Sequence, residues 1–205
     1  VSTFMEPIFK NPLQTSEANN HPNILIEARN EEEEYDAIAK IIKGILSGQH
    51  DSDRKRHIVV PQFRNKDVDK VDKALKDRGI QTYRAITIKN KEKLPDFSND
   101  HLVLTCTIHS LKGLECDYLI FPRAEEKKIG FFKNQDREIL NNLLHVLFTR
   151  AQKRIWCSYV DKNDSIVHKT VENSQIDSDG EKWGDWVEHL TASEILSNNH
   201  VEKST

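Results

Sequence analysis

Within the stretch "TIHSLKGLE" (107–115), Thr107, His109, Ser110, Lys112, Gly113 and Glu115 crowd together directly after an apolar run. Two hydroxyls, an imidazole, a mobile cation, a glycine and a carboxylate at a strand exit form a set suited to holding an anionic or sugar-containing ligand. Gly113 would let the backbone turn and approach that ligand closely. The same residues also suit an ordinary polar connection, and no acid or cysteine completes a nucleophilic triad with His109. A second candidate is Arg150, in "LLHVLFTRAQKRI". Leu140, Leu143, Leu144 and Leu147 make the apolar stripe of a helix. At about 100° per residue Arg150 falls at the edge of that stripe, near Leu143 and Val146. An arginine there can complement the negative end of the helix dipole. It can equally aim its planar, permanently charged fork at a phosphate held by another domain.

These residues depend on elements that the hydrophobic pattern outlines. "NILIEA" (23–28) reads as a strand. A helix follows, with Asn30 as N-cap, four glutamates at its positive end, and Ile38, Ile41, Ile42 and Ile45 at helical spacing. "HIVVP" (57–61) reads as a strand ended by its proline. Val68, Val71 and Leu75 then mark a second helix, stopped by Gly79. "IQTYRAITI" (80–88) is a further strand. "HLVLTCTI" (101–108) and "CDYLIF" (116–121) are apolar enough to be buried on both faces of a sheet. A third helix runs from Asp136, and "KRIWCSYV" (153–160) is the last predicted strand.

Strands alternating with helices predict an α/β fold with a mainly parallel sheet flanked by helices, whose ligands lie at the carboxyl ends of the strands. The whole of Thr107–Glu115 is expected there. The organisation expected is an irregular lead-in (1–22), the α/β body (23–160) and a polar C-terminal appendage (161–205). In that appendage Trp183, Trp186, Val187 and Leu190 suggest a helix, and Thr191 with Glu194 a capping box for one more short helix. This helix could pack on the sheet, or its tryptophans could anchor a protein partner.

The chain has 205 residues and a formal net charge of −3, so any nucleic-acid surface must be local. Cys106, Cys116 and Cys157 lie in apolar runs without metal-ligand spacing, which suggests reduced core thiols in a cytoplasmic protein. No apolar run approaches the roughly 20 residues of a membrane span, and no signal peptide is expected at the start.

Together, "TIHSLKGLE" and "LLHVLFTRAQKRI" resemble motifs V and VI of the C-terminal RecA-like motor domain of UvrD/Rep-like superfamily 1 helicases. "HIVVPQFRNKDVDKVDKALKDRGIQTY" resembles the preceding strand–helix–strand segment of that family. The resemblance covers about residues 23–160. It implies an ATP-dependent DNA helicase or translocase in which two RecA-like domains clamp ATP with Mg2+. Arg150 would be the arginine finger. Gly113 and Glu115 would meet the sugar side of the nucleotide. Thr107, His109, Ser110 and Lys112 would lie on the single-stranded DNA side, with DNA favoured over RNA. His145 stands where the family usually has tyrosine, Leu147-Phe148 replaces a smaller pair, and the short span from Gln81 to Thr105 leaves no room for the large accessory insertion. No G-x-x-x-x-G-K-[ST] phosphate loop and no Asp-Glu magnesium pair occur in the chain. The first RecA-like domain is therefore expected upstream of Val1 or on a partner chain. The alternative is a non-catalytic helicase-like module that binds nucleic acid or protein.

Overall fold

The computed structural model describes residues 23–48, 56–85, 101–111, 114–125, 143–144, 146–168 and 187–197. Among the described residues, seven strands form one sheet: β1 (Asn23–Glu27), β2 (Arg56–Gln62), β3 (Tyr83–Arg84), β4 (His101–Thr107), β5 (Cys116–Phe121), β6 (Ala151–Tyr159) and β7 (Val187–Thr191). Their spatial order is β3-β4-β2-β5-β6-β1-β7, and every pairing is parallel. This is the parallel α/β layer expected of a RecA-like domain. Because all strands run the same way, the sheet has one carboxyl edge and one amino edge.

The strands alternate their side chains between two apolar layers. Ile24, Ile26, Ile58, Val60, Tyr118, Ile120 and Trp156 face one layer. Leu25, Val59, Leu104, Leu119, Phe121, Ile155 and Cys157 face the other. The first layer is covered by α1 (Glu31–Ser47) and α2 (Asn65–Asp77). Ile38, Ile41, Ile42 and Ile45 of α1 pack there with Val71 and Leu75 of α2, on the stripes their spacing predicts. The second layer is covered by Leu111, Leu144, Leu147, Phe148, Ile166 and Val167. Sheet burial on both faces explains why the central strands are continuously apolar.

Local signals end the helices where expected. Asn30 Oδ1 accepts from the amide of Glu33 at 2.9 Å, capping α1. After α2, Gly79 adopts φ +78°, a conformation that costs a side-chain-bearing residue. It lets Gly79 N donate to Lys76 O (2.9 Å) and Ile80 N to Leu75 O (3.0 Å), the paired bonds of a Schellman motif.

Two expectations change. Pro61 does not end β2 but lies within it, in register with Cys106 of β4. The β2–β5 register runs through Ile58 and Val59 and stops before Pro61, which has no amide to donate. Second, Val187–Thr191 is not helical. It is an edge strand parallel to β1, and residues 187–197 belong to the main sheet layer rather than to an appendage. The capping box of Thr191 is present, with Glu194 N donating to Thr191 Oγ1 (3.2 Å) and Thr191 N to Glu194 Oε2 (2.6 Å). It starts α3 (Ala192–Ser197), whose Ala192 and Ile195 join the α1 layer. An N-cap residue is extended, so no helix runs through Thr191. In the first turn of α1, Glu33 and Glu34 are buried. Trp183, Trp186, His145 and Leu140 lie outside the described residues.

Candidate functional site

β4 delivers Thr107 to the carboxyl edge, where its Cα partner on β2 is Gln62. A single 3-10 turn, Ile108–Leu111, follows directly. Ile108 and Leu111 are buried and anchor this turn, which leaves His109 exposed and Ser110 half-buried. Thr107 Oγ1 and Ser110 Oγ share a hydrogen bond of 2.9 Å. Gln62, itself buried, donates from Nε2 to the carbonyl of Pro122 at 2.7 Å, tying the ends of β2 and β5 together beside this turn. The carboxyl edge over β4 therefore presents a hydroxyl pair and an exposed imidazole on a rigid base.

Glu115 does not lie at that edge, contrary to the expectation for the whole segment. It immediately precedes Cys116, the first residue of β5, so it stands at the amino edge of the sheet. Eight residues carry the chain from one edge to the other. Lys112 and Gly113 lie between the described parts of this crossing and outside the described residues.

Arg150 meets Glu115 at the amino edge. Residues 143–144 and 146–148 are helical, and Thr149 and Arg150 form the turn into β6, so Arg150 follows the helix rather than riding on it. Leu144, Leu147 and Phe148 are buried, and Phe148 packs edge-on against Phe121 with ring centroids 6.5 Å apart. This packing fixes the position of the turn. Arg150 is half-buried, and its Nε donates to the carbonyl of Val146 at 3.2 Å. Its own carbonyl accepts from the amide of Cys116 at 2.9 Å. Gln152 Nε2 donates to Glu115 Oε2 at 2.7 Å and orients that exposed carboxylate. Nearby, Asp117 accepts from the His57 amide (2.8 Å) and pairs with Lys153 at 3.8 Å. Among the described residues no carboxylate pairs with the Arg150 guanidinium.

No pattern in the sequence singles out Gln152. Its relevance depends on the β5–β6 register, Cys116 opposite Ala151, which no local pattern encodes. The three cysteines are free and buried, and burial pushes the Cys106 thiol up to about 12. No group of three or more His, Cys, Asp or Glu suited to a metal occurs among the described residues. No described helix is long and apolar enough to cross a membrane.

The arrangement thus defines a parallel α/β domain of RecA type with polar constellations on two opposite edges of its sheet. Residues 83–162 match the profile of the UvrD-like helicase C-terminal domain. A solved structure described as the C-terminal domain of a possible DNA helicase from Lactobacillus plantarum WCFS1 superposes with a TM-score of 0.51. It is 20% identical, and the match covers 77% of this chain and 84% of that one, a likeness of fold. No curated protein matches the chain.

Proposed function

We propose that this chain is the second motor domain of an ATP-dependent DNA helicase or translocase, working against a first RecA-like domain that holds the phosphates and magnesium. The observation that carries this reading is the separation of the two constellations. Thr107, His109 and Ser110 occupy the carboxyl edge, while Glu115 and Arg150 occupy the amino edge. One rigid sheet can then report on two ligands at once. A hydroxyl pair and an exposed imidazole, with Lys112 beside them in sequence, suit the backbone of single-stranded DNA, which such groups position without reading its sequence.

The amino-edge residues fit a nucleotide. An exposed carboxylate held by Gln152 can accept from sugar hydroxyls. Gly113 precedes it in the segment and would allow close approach. A guanidinium without a described carboxylate partner can meet a phosphate, and Arg150 takes the arginine-finger role. ATP with Mg2+ supplies the phosphoryl group and its charge neutralisation. Arg150 adds positive charge where negative charge develops, and Glu115 orients the sugar.

In the assembled ATPase, Arg150→Ala lowers kcat by about 10³-fold or more while single-stranded DNA binding survives. Thr107→Ala with His109→Ala weakens DNA binding and leaves nucleotide affinity intact. DNA-stimulated ATP hydrolysis near the parent rate in Arg150→Ala would refute the finger assignment. The second reading is a non-catalytic binding module, and the Arg150 Nε bond to Val146 O gives that residue a structural task even there. Under that reading Arg150→Ala changes stability alone, and no phosphate-loop domain accompanies the chain.

A further inference from the structure

On the carboxyl edge, away from β4, the first turn of α1 meets the exits of β5 and β6 around a group of buried charges. Glu34 is fully buried. Its Oε1 accepts from Ser158 Oγ of β6 at 2.6 Å and from the backbone amide of Arg123, just after β5, at 2.9 Å. Among the described residues its Oε2 has no hydrogen-bond donor, and it lies 3.6 Å from Arg123 Nε. Arg123 donates from Nη2 to Glu125 Oε2 at 2.8 Å. Glu125, also buried, accepts at Oε1 from the amides of Val160 (2.8 Å) and Asp161 (3.3 Å). Arg123 itself holds φ +57°, a left-handed conformation that these bonds sustain.

The charge count does not balance. Glu31 is nearby, 3.6 Å from Arg123 Nη1, but Lys70 (2.6 Å) and the hydroxyl of Tyr35 (3.0 Å) already serve it. Among the described residues, that leaves two buried carboxyls for one guanidinium. Glu125 gathers donors on both oxygens. Glu34 has donors on only one oxygen, and a buried carboxylate without enough donors is costly.

We propose that the first turn of α1 and the exits of β5 and β6 enclose a proton site, in which Glu34 and Glu125 share Arg123 and one proton, carried on Oε2 of Glu34. In the neutral form Glu34 bridges α1, β5 and β6 through Ser158 and the Arg123 amide. When it ionises, its charge adds to that of Glu125 in a closed space, and the bridge between helix and sheet weakens. Burial is the largest influence and pushes the Glu34 carboxyl up to about 7, with the charge of Glu125 raising it further and Ser158 and Arg123 opposing. A carboxyl raised in the folded state stabilises it fully below the unfolded value of 4.5, and that stabilisation is lost as pH rises through about 7. The site is thus a pH-sensitive clasp, independent of the nucleotide and DNA roles proposed above.

The test follows the Glu34 carboxyl carbon by NMR across pH 4–9 in the 205-residue chain. A midpoint within about a unit of 7 is expected, moving to lower pH in Glu125→Gln. Urea unfolding then compares the parent with Glu34→Gln, which mimics the neutral form. The two match near pH 4.5. The parent's unfolding constant rises relative to the variant by up to about 300-fold above pH 7, the tenfold-per-unit consequence of the shift from 4.5 to about 7. A midpoint below pH 5 in the folded parent overturns the proposal, and that result does not depend on whether either variant folds.

Discussion

Asp72 offers a sharp test of how the sheet is held beneath the proposed DNA edge. It projects from α2 into a buried polar pocket. Its Oδ1 accepts from Thr82 Oγ1 at 2.5 Å and from Thr105 Oγ1 of β4 at 2.9 Å, and Oδ2 accepts from Lys76 at 2.7 Å. Burial opposes its ionisation, but the bonds from Lys76, Thr82 and Thr105 prevail and hold the carboxyl below its ordinary value. Thr105 stands two residues before Thr107 on the same strand, so this network fixes the strand that delivers the turn at 108–111. The Lys76 pair is half in solvent and contributes little. Each hydroxyl bond to the buried carboxylate contributes about 1.5–3 kcal/mol, because its acceptor is charged. Asp72→Ala therefore destabilises the chain by about 3–5 kcal/mol in urea unfolding at pH 7, and Asp72→Asn, which keeps an accepting oxygen, by about half that. The depressed carboxyl stabilises the fold above its unfolded value of 3.8, and that contribution is lost as pH falls through the lower folded value. The deficit of the alanine variant should shrink in the same acid range. An alanine variant within about 1 kcal/mol of the parent at pH 7 would show that the bonds do not carry the strand.

Two further predictions concern helix ends. Gly79→Ala introduces no steric contact, since nothing lies within 4 Å of the added Cβ, so its cost is the left-handed backbone alone. A loss of about 1 kcal/mol in urea unfolding is expected, with Gly79→Asn costing less. Thr191→Ala removes one side of the capping box and should destabilise α3 by about 1 kcal/mol, seen as about fivefold faster amide exchange in residues 192–197 while α1 stays protected.

The periodic elements were legible because their signals are local. The isoleucines of α1, the Asn30 cap and the Gly79 stop act within one or two turns of chain, and the structure carries all three. The C-terminal strand is not legible locally, because Val187 and Leu190 fit a helical spacing as well as they fit an edge strand. Only Val187 of the two is fully buried, and β1 is the neighbour that decides the matter. Glu34 offers the same lesson in charge. Four glutamates at a helix start look solvated, and the burial of one of them depends on where the exits of β5 and β6 lie.

By itself the sequence determined that the chain is a parallel α/β domain carrying the two motif segments, since hydrophobic period and residue order suffice for that. Tertiary structure decided which edge each chemical group occupies. Thr107 and Glu115 are neighbours in sequence, yet the parallel sheet places them at opposite ends of its strands. The physical reason is that a crossover to another parallel strand must return the chain to the amino edge, and only the three-dimensional strand order shows what waits there. In this chain that is Arg150, and Gln152 holding Glu115 beside it.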